Sequence, residues 1–225
     1  MKKIIILAIF GGLFSNVFYG QQITIKRIES RLITNEGYEF IGDLKEKNND
    51  LYTYSNWNNN GVLFLDNKTY RLSNINFNIT TNSFVSRISR DKLFAFKTST
   101  IDSVSINNLL FKNIGNSFYE VLFEKGDNSF LKKYDIVFQR GIDNRLGGKT
   151  LGNTKALVAY NYLIKSGEVF KKVELNKSSI IGLIDDENDK ATLISFVKEE
   201  KLSYKKVKDV VKIFRFIFEN SSKII

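Results

Sequence analysis

Carboxylate pairs are the residues in this sequence whose spacing best fits acid–base chemistry. Glu120 and Glu124 lie four residues apart in a run of strand-forming residues, so the period of two should place them on one face of a strand. Two carboxylates at a suitable separation are what glycoside hydrolases use to cleave a sugar linkage. A hydrolase acting on polysaccharide is therefore one alternative, although carboxylates on the outer face of a hairpin usually only contact water.

The absence of His and Cys closes most other catalytic routes. No Ser-His-Asp triad, thiolate nucleophile, or imidazole or thiolate metal ligand can form. Oxygen ligands remain in the run Asp185–Asp189, but a calcium loop starting there would need Gly where Lys190 stands. We therefore predict no metal, and we expect that the protein is not an enzyme.

Gly147-Gly148-Lys149-Thr150 ends like a phosphate-binding loop. That motif requires another Gly at the position of Asp143, and a helix should start at Thr150. Leu151-Gly152-Asn153 would break such a helix. The segment is better interpreted as a glycine-rich connection, and no cofactor is predicted.

The segment from Tyr52 to Gly61 is the best candidate for ligand recognition. Tyr52, Tyr54 and Trp57 offer flat rings that can stack on sugars or peptide side chains, and Asn58 offers both a donor and an acceptor. We expect these four residues to form the binding site, although Trp57 could also serve as a core or loop anchor.

Alternating apolar residues predict that strands carry these side chains through most of the chain. The clearest hairpin is Ser117 to Phe138, whose two arms flank a polar loop containing Gly126. In a chain without proline, Asn and Gly should make nearly all the turns. The other predicted strands are 23–28, 38–45, 51–56, 62–65, 68–72, 84–88, 93–96, 101–106, 156–164 and 169–173.

The apolar period changes from two to 3.6 after Asn176, which predicts C-terminal helices. A short helix over 178–183 should be capped by Asn176 or Ser178, and a second should begin after Asp189 as its N-cap. The third, from about Ser203, has the clearest stripe. The expected class is α+β: an antiparallel meander, curled as a half-barrel, barrel or sandwich, with two or three helices packed on it.

The first 20 residues have the composition of a secretory signal peptide. Lys2 and Lys3 precede an apolar run from Ile4 to Phe14 that is short for a membrane span, and cleavage is expected after Gly20. Without Cys the mature chain cannot carry a lipoprotein anchor. We divide the chain into a signal peptide (1–20), a β domain (21–176) and a helical segment (177–225).

The formal net charge of +10 favours anionic partners, but the lysines are spread over the whole chain. Export argues against nucleic acid as a partner. The third helix carries Lys205, Lys208, Lys212 and Arg215 on its polar face, so attachment to an anionic membrane surface is a further alternative. The oligomeric state does not follow from the sequence.

Several segments together resemble small exported envelope proteins of the Bacteroidota. These are the leader followed by Gln21-Gln22, the stretch from Trp57 to Leu72, the FYEVLFEKG hairpin arm and the LSYKKVKDVVKIFRFI tail. The resemblance implies a periplasmic or cell-surface location and brings no catalytic residues. We expect an exported, non-enzymatic protein that binds another envelope component, either a protein or a glycan.

Overall fold

Within the described residues, antiparallel strands dominate as far as Val173, and helices follow. The computed structural model describes residues 37–41, 51–65, 68–89, 92–139, 143–144, 149–150 and 155–220. The helices are α1 (Lys177–Ile181), α2 (Glu187–Glu199) and α3 (Val207–Asn220). The strands are β1 (Gly37–Ile41), β2 (Asn60–Leu65), β3 (Lys68–Ser73), β4 (Ile75–Asn78), β5 (Ser83–Ser89), β6 (Lys92–Phe96), β7 (Ser103–Ile106), β8 (Leu109–Ile114), β9 (Ser117–Lys125), β10 (Asn128–Gln139), β11 (Asp143–Asn144), β12 (Lys149–Thr150), β13 (Lys155–Ser166) and β14 (Val169–Val173).

Two of the three sheets pack on each other as a sandwich. The larger sheet has eight strands in the order β14-β13-β10-β9-β8-β7-β2-β3, and the smaller has four in the order β1-β6-β5-β4. β11 and β12 form a separate two-stranded pair. The eight-stranded sheet is open, because β14 and β3 stand at its two ends. This confirms the predicted α+β class, with an antiparallel meander followed by helices.

Asparagine and glycine in left-handed backbone conformations make the tight turns. Asn107 and Asn108 (φ 46° and 71°) join β7 to β8, and Gly115 and Asn116 (φ 59° and 60°) join β8 to β9. Two successive residues with positive φ form a type I′ turn, whose twist matches that of the two strands it connects. The expectation that Asn and Gly would make these turns is confirmed.

Asn74 is the residue at which the chain passes from one sheet to the other. It alone separates β3 of the larger sheet from β4 of the smaller, and it has a φ of 54°. Its carbonyl accepts a hydrogen bond from Arg87 N at 2.9 Å. Gly61 of β2 allows the sheets to approach here, since a Cβ at that position would lie 2.8 Å from Ile75 Cγ2.

Aromatic rings fill the space between the two sheets. The ring centroid of Phe77 lies 4.9 Å from that of Phe84 and 5.3 Å from that of Phe111, and all three side chains are fully buried. Burial of one such side chain contributes about 1.5–3 kcal/mol to folding. We call this cluster the sandwich core; its other members are Leu63, Leu65, Leu72, Ile75, Ile79, Phe94, Phe96, Ile101, Val104, Ile106, Phe118 and Tyr134.

The helices cover the other end of the larger sheet. The stripe predicted for α3 is buried at Val210, Phe214, Ile217 and Phe218, and the ring of Phe214 lies 4.4 Å from that of Phe130 on β10. We call this second cluster the helix core; its members are Phe130, Ile164, Val173, Ile180, Leu183, Ile184, Leu193, Val197, Val210, Ile213, Phe214, Ile217 and Phe218.

Of the three predicted helix starts, that of α1 is correct, while α2 begins earlier than predicted and α3 begins at Val207 rather than near Ser203. Asn176 caps α1 as expected, since its side chain accepts a hydrogen bond from Ser179 N at 2.8 Å. The start predicted for α2 is wrong, because Asp186 rather than Asp189 is its N-cap. An earlier start places Glu187 and Asp189 in the first turn, where the positive end of the helix dipole favours carboxylates.

The missed strands are those without clear alternation. β4, β8 and the short pair of β11 and β12 were not predicted, and all four β4 residues are buried. Residues 51–56, predicted as a strand, make only an isolated bridge from Tyr52 to Asn78. The predicted strand over 23–28 and the signal peptide lie outside the described residues.

Candidate functional site

The segment from Leu51 to Asn60, which we call the Trp57 loop, runs along the outer edge of β4. Thr53 N donates to Phe77 O at 3.1 Å, and Ile79 N donates to Leu51 O at 2.8 Å. These bonds satisfy backbone groups that would otherwise form a bare sheet edge. The loop is therefore held by the sandwich although it is not itself a strand.

Asn76 of β4 connects this loop to the sheet through its fully buried side chain. Its Oδ1 accepts from Tyr54 N at 3.1 Å, and its Nδ2 donates to Tyr54 O at 2.8 Å and to Asn56 O at 3.3 Å. An amide side chain has both donors and acceptors, so one residue can satisfy several loop groups. Asn76 therefore fixes the backbone path of the loop.

Asn59 provides a second attachment from within the loop. Its Nδ2 donates to Asn56 O at 2.8 Å, and its Oδ1 accepts from Asn107 Nδ2 at 2.7 Å. Asn107 lies in the turn between β7 and β8 of the larger sheet. The loop is thus attached to both sheets, and the side chain of Asn59 stabilises its conformation by hydrogen bonds.

Trp57 stands at the surface of the loop between two side chains. The edge of the Tyr52 ring packs against it with centroids 5.1 Å apart, and the guanidinium carbon of Arg87 lies 4.3 Å from the indole centroid. Trp57 is half-buried, and its neighbours Asn56 and Asn58 are exposed. The structure therefore places Tyr52 against Trp57, leaves the adjacent Asn58 exposed, and adds Arg87 from β5, which sequence reasoning missed.

Tyr54 points away from this surface cluster. Its hydroxyl donates to Ile106 O at 3.1 Å, and its ring packs against the sandwich core. Burial, and to a smaller extent the negative charge of Glu120, raise the pKa of the Tyr54 hydroxyl above its ordinary value. Tyr54 therefore supports the loop from below, while Tyr52 and Trp57 face outward.

Glu120 and Lys132 form a second polar cluster inside the larger sheet. They are direct partners on β9 and β10, with Lys132 Nζ 2.9 Å from Glu120 Oε2. The Tyr134 hydroxyl donates a hydrogen bond to the same carboxylate oxygen. Lys132 Nζ also lies 4.5 Å from the ring centroid of Tyr134 and 4.6 Å from that of Tyr160. The ammonium group is thus surrounded by one carboxylate and two aromatic faces.

These contacts keep Tyr134 as a neutral phenol. Burial is the largest cause of a strongly raised pKa at its hydroxyl, followed by the hydrogen bond to Glu120 and the negative charge of that carboxylate. Burial likewise raises the pKa of the Tyr162 hydroxyl, with a smaller effect from Glu120. A hydroxyl with a raised pKa is a hydrogen-bond donor rather than a base at neutral pH.

Glu120 and Glu124 lie on opposite faces of the sheet, so the expectation that they share a face is wrong. The register between β9 and β10 shifts at Phe130/Leu131, which leaves Leu122 as an extra residue on β9. Such a bulge reverses the alternation of side chains beyond it. Glu124 consequently pairs with Lys112, whose Nζ lies 2.6 Å from Glu124 Oε2, on the face opposite Glu120. The paired-carboxylate geometry of a glycosidase is not formed by these two residues.

The exposed side chains of the basic helix α3 are all charged or polar. Lys208, Lys212 and Arg215 are exposed, while its apolar stripe packs in the helix core. Membrane attachment through this helix would therefore have to use charge alone rather than insertion of an apolar face. None of the helices in the described ranges has the length and apolar character that a membrane span requires.

Comparison of the chain with protein-family models, with curated proteins and with solved structures found no match in any of the three.

Proposed function

We propose that this chain is an exported, non-enzymatic binding protein of the cell envelope. We further propose that Tyr52, Trp57, Asn58 and Arg87, which we call the Trp57 cluster, bind a glycan. The observation that carries the proposal is the fixed position of Trp57 between Tyr52 and Arg87 on a loop hydrogen-bonded to both sheets. A ring that is already ordered loses little conformational entropy when a ligand stacks on it.

The chemistry of the neighbouring groups also favours a sugar. The C–H faces of a pyranose ring pack on an indole, while its hydroxyls need both donors and acceptors. Asn56 and Asn58 are exposed on either side of Trp57, and Arg87 supplies donors only. Arg87 would give a preference for sugars that carry a carboxylate or phosphate.

The experiment uses the fact that Trp57 is the single Trp of the chain. The purified protein is titrated with peptidoglycan fragments, lipopolysaccharide core oligosaccharides and neutral polysaccharides, while the emission of Trp57 is followed. We expect a saturable change in emission with at least one of these classes. Calorimetry then measures Trp57→Ala and Arg87→Met, which should bind at least about tenfold more weakly.

Tyr160→Ala is the matched control, because Tyr160 is an exposed aromatic residue outside the Trp57 cluster. It should bind like the wild type. Equal binding by wild type and Trp57→Ala would refute the glycan site. Release of new reducing ends during the incubations, abolished in Glu120→Gln, would instead favour the hydrolase alternative.

A further inference from the structure

β14 forms an open edge of the eight-stranded sheet with exposed apolar side chains. β13 pairs with one side of β14, and within the described ranges no strand pairs with the other side. The side chains of Val169 and Phe170 are 54% and 39% exposed. An unpaired strand edge offers backbone donors and acceptors to any extended chain that approaches it.

Two other end strands, β4 and β3, differ from β14 in what they offer to a partner. The outer edge of β4 is covered by the Trp57 loop through the Tyr52–Asn78 bridge and the Thr53 N to Phe77 O hydrogen bond. β3 lies at the far end of the larger sheet and exposes no large apolar side chain. The carbonyl of its Ser73 accepts a hydrogen bond from Ser86 Oγ at 2.9 Å. Of these three edges, β14 is the one that combines an edge without a described partner strand with large exposed apolar side chains.

The hairpin geometry identifies which backbone groups of β14 point outward. A two-residue turn at Gly167-Glu168, with Gly167 at φ 55°, pairs Ser166 with Val169. The residues flanking such a turn exchange both hydrogen bonds, and bonded and non-bonded pairs then alternate. The N–H and C=O groups of Phe170 and Lys172 should consequently point toward the free edge.

The positive charge of β14 favours an acidic segment over a second copy of this chain as the binding partner. Lys171 and Lys172 are exposed and project to opposite faces of the strand, because they are consecutive. In the described part of the chain neither forms an ion pair. A second copy of this chain pairing through β14 would bring lysines against lysines, which is unfavourable. An acidic segment would instead place carboxylates beside both lysines.

We propose that the free edge of β14 binds an extended acidic segment of a partner protein, which adds to the sheet as a ninth strand. Backbone hydrogen bonds from Phe170 and Lys172 position the segment. Val169 and Phe170 contact its apolar side chains, and Lys171 and Lys172 select its glutamates or aspartates. This surface is separate from the Trp57 cluster, so it does not depend on the glycan proposal.

The test uses a fluorescently labelled eight-residue peptide in which pairs of adjacent valines alternate with pairs of adjacent glutamates, so that both faces of the added strand carry valine and glutamate. Anisotropy measures its binding to the full protein. Two control peptides replace glutamate by lysine, or carry N-methyl groups at alternate backbone nitrogens. We expect the acidic peptide to bind, and both controls to bind at least about tenfold more weakly, since one loses charge attraction and the other loses strand hydrogen bonds.

The protein variants separate local from overall charge. Lys171→Glu/Lys172→Glu should lose the acidic peptide and gain the lysine peptide, and Lys171→Gln/Lys172→Gln should show an intermediate loss. Lys208→Glu/Lys212→Glu on α3 makes the same change in net charge away from β14 and should bind like the wild type. Equal weakening by the α3 variant, or undiminished binding of the N-methylated peptide, would overturn the proposal.

Discussion

Glu120 and Lys132 lie directly opposite each other in the middle of the eight-stranded sheet, with 7% and 18% of their side chains exposed. They belong to a row of cross-strand partners that continues through Phe111 on one side and Tyr162 on the other. Phe111 is in the sandwich core, and Tyr162 packs against the helix core. The ion pair therefore marks the place where one apolar cluster ends and the next begins.

We predict that the two charges stabilise the fold only as a pair. Lys132→Met leaves the Glu120 carboxylate buried with Tyr134 as its remaining hydrogen-bond partner, and should lower the free energy of unfolding by about 3 kcal/mol. The double variant Glu120→Gln/Lys132→Met should recover at least about half of that loss, because no uncompensated charge remains. Urea denaturation of the wild type, both single variants and the double variant measures the coupling.

Lys112→Met is the matched control, because it breaks an ion pair with Glu124 whose side chains are 39% and 36% exposed. Exposed pairs contribute about 0–1 kcal/mol. If Lys112→Met and Lys132→Met destabilised the protein equally, burial would not be the reason for the effect at Lys132.

The raised pKa of Tyr134 predicts a loss of stability at alkaline pH. In the unfolded chain this hydroxyl ionises near pH 10, whereas burial and Glu120 keep it protonated in the fold. Its contribution is therefore fully present below pH 10 and declines as the pH rises further, because only the unfolded state then releases the proton. In urea denaturation between pH 9 and 11.5, the free energy of unfolding of Tyr134→Phe should fall less steeply with pH than that of the wild type. The two slopes should differ by up to about 1.4 kcal/mol per pH unit.

The comparison with Tyr134→Phe is needed because other groups also titrate in this range. Glu120→Gln is the second comparison, because it removes the carboxylate whose hydrogen bond and charge help to raise the pKa of Tyr134. Its slope should lie between those of the wild type and Tyr134→Phe. Identical slopes for wild type and Tyr134→Phe would contradict the role assigned to Tyr134.

Asn76 of β4 should hold the Trp57 loop in place through its side-chain hydrogen bonds. Asn76→Leu keeps the volume of the side chain but removes its hydrogen bonds to Tyr54 and Asn56, so buried loop groups lose their partners. We expect a loss of about 2–4 kcal/mol in stability, together with a red shift of Trp57 emission as the loop loosens. Asn58→Leu changes an exposed asparagine of the same loop and should leave the unfolding midpoint almost unchanged. An unaltered emission maximum in folded Asn76→Leu would show that the loop is held by other contacts.

Local patterns predicted the elements that depend on local physics. The change of apolar period after Asn176 identified the helices, and the stripe of α3 is buried where it was expected. The turn at Gly126 was predicted because a left-handed backbone is a property of single residues. The turns at Asn107-Asn108 and Gly115-Asn116 were not located, because the strand between them was not predicted. β4 was missed because its asparagines are unusual in strands, and the hydrogen bonds that make Asn76 suitable come from a loop about 20 residues away.

Part of the candidate site was predictable because it, too, is formed by residues that are close together in the chain. Tyr52, Trp57 and Asn58 are neighbours in the chain, so composition alone could single them out. Arg87 reaches Trp57 only because Asn74 turns the chain from one sheet to the other and β5 then returns beside β4. No local pattern indicates that approach.

By itself, then, the sequence indicated the succession of a strand region and C-terminal helices, the residue types that make the turns, and the absence of His and Cys side chains for catalysis. The tertiary structure alone decided which face Glu124 occupies, which partner Glu120 has and which cation covers Trp57. The first two outcomes depend on the register of β9 and on its bulge at Leu122, where one extra residue exchanges the two faces of the strand. The third depends on the position of β5 next to the Trp57 loop. Neither a bulge within a hairpin nor the approach of a cation from another strand is visible in the apolar periodicity of the sequence.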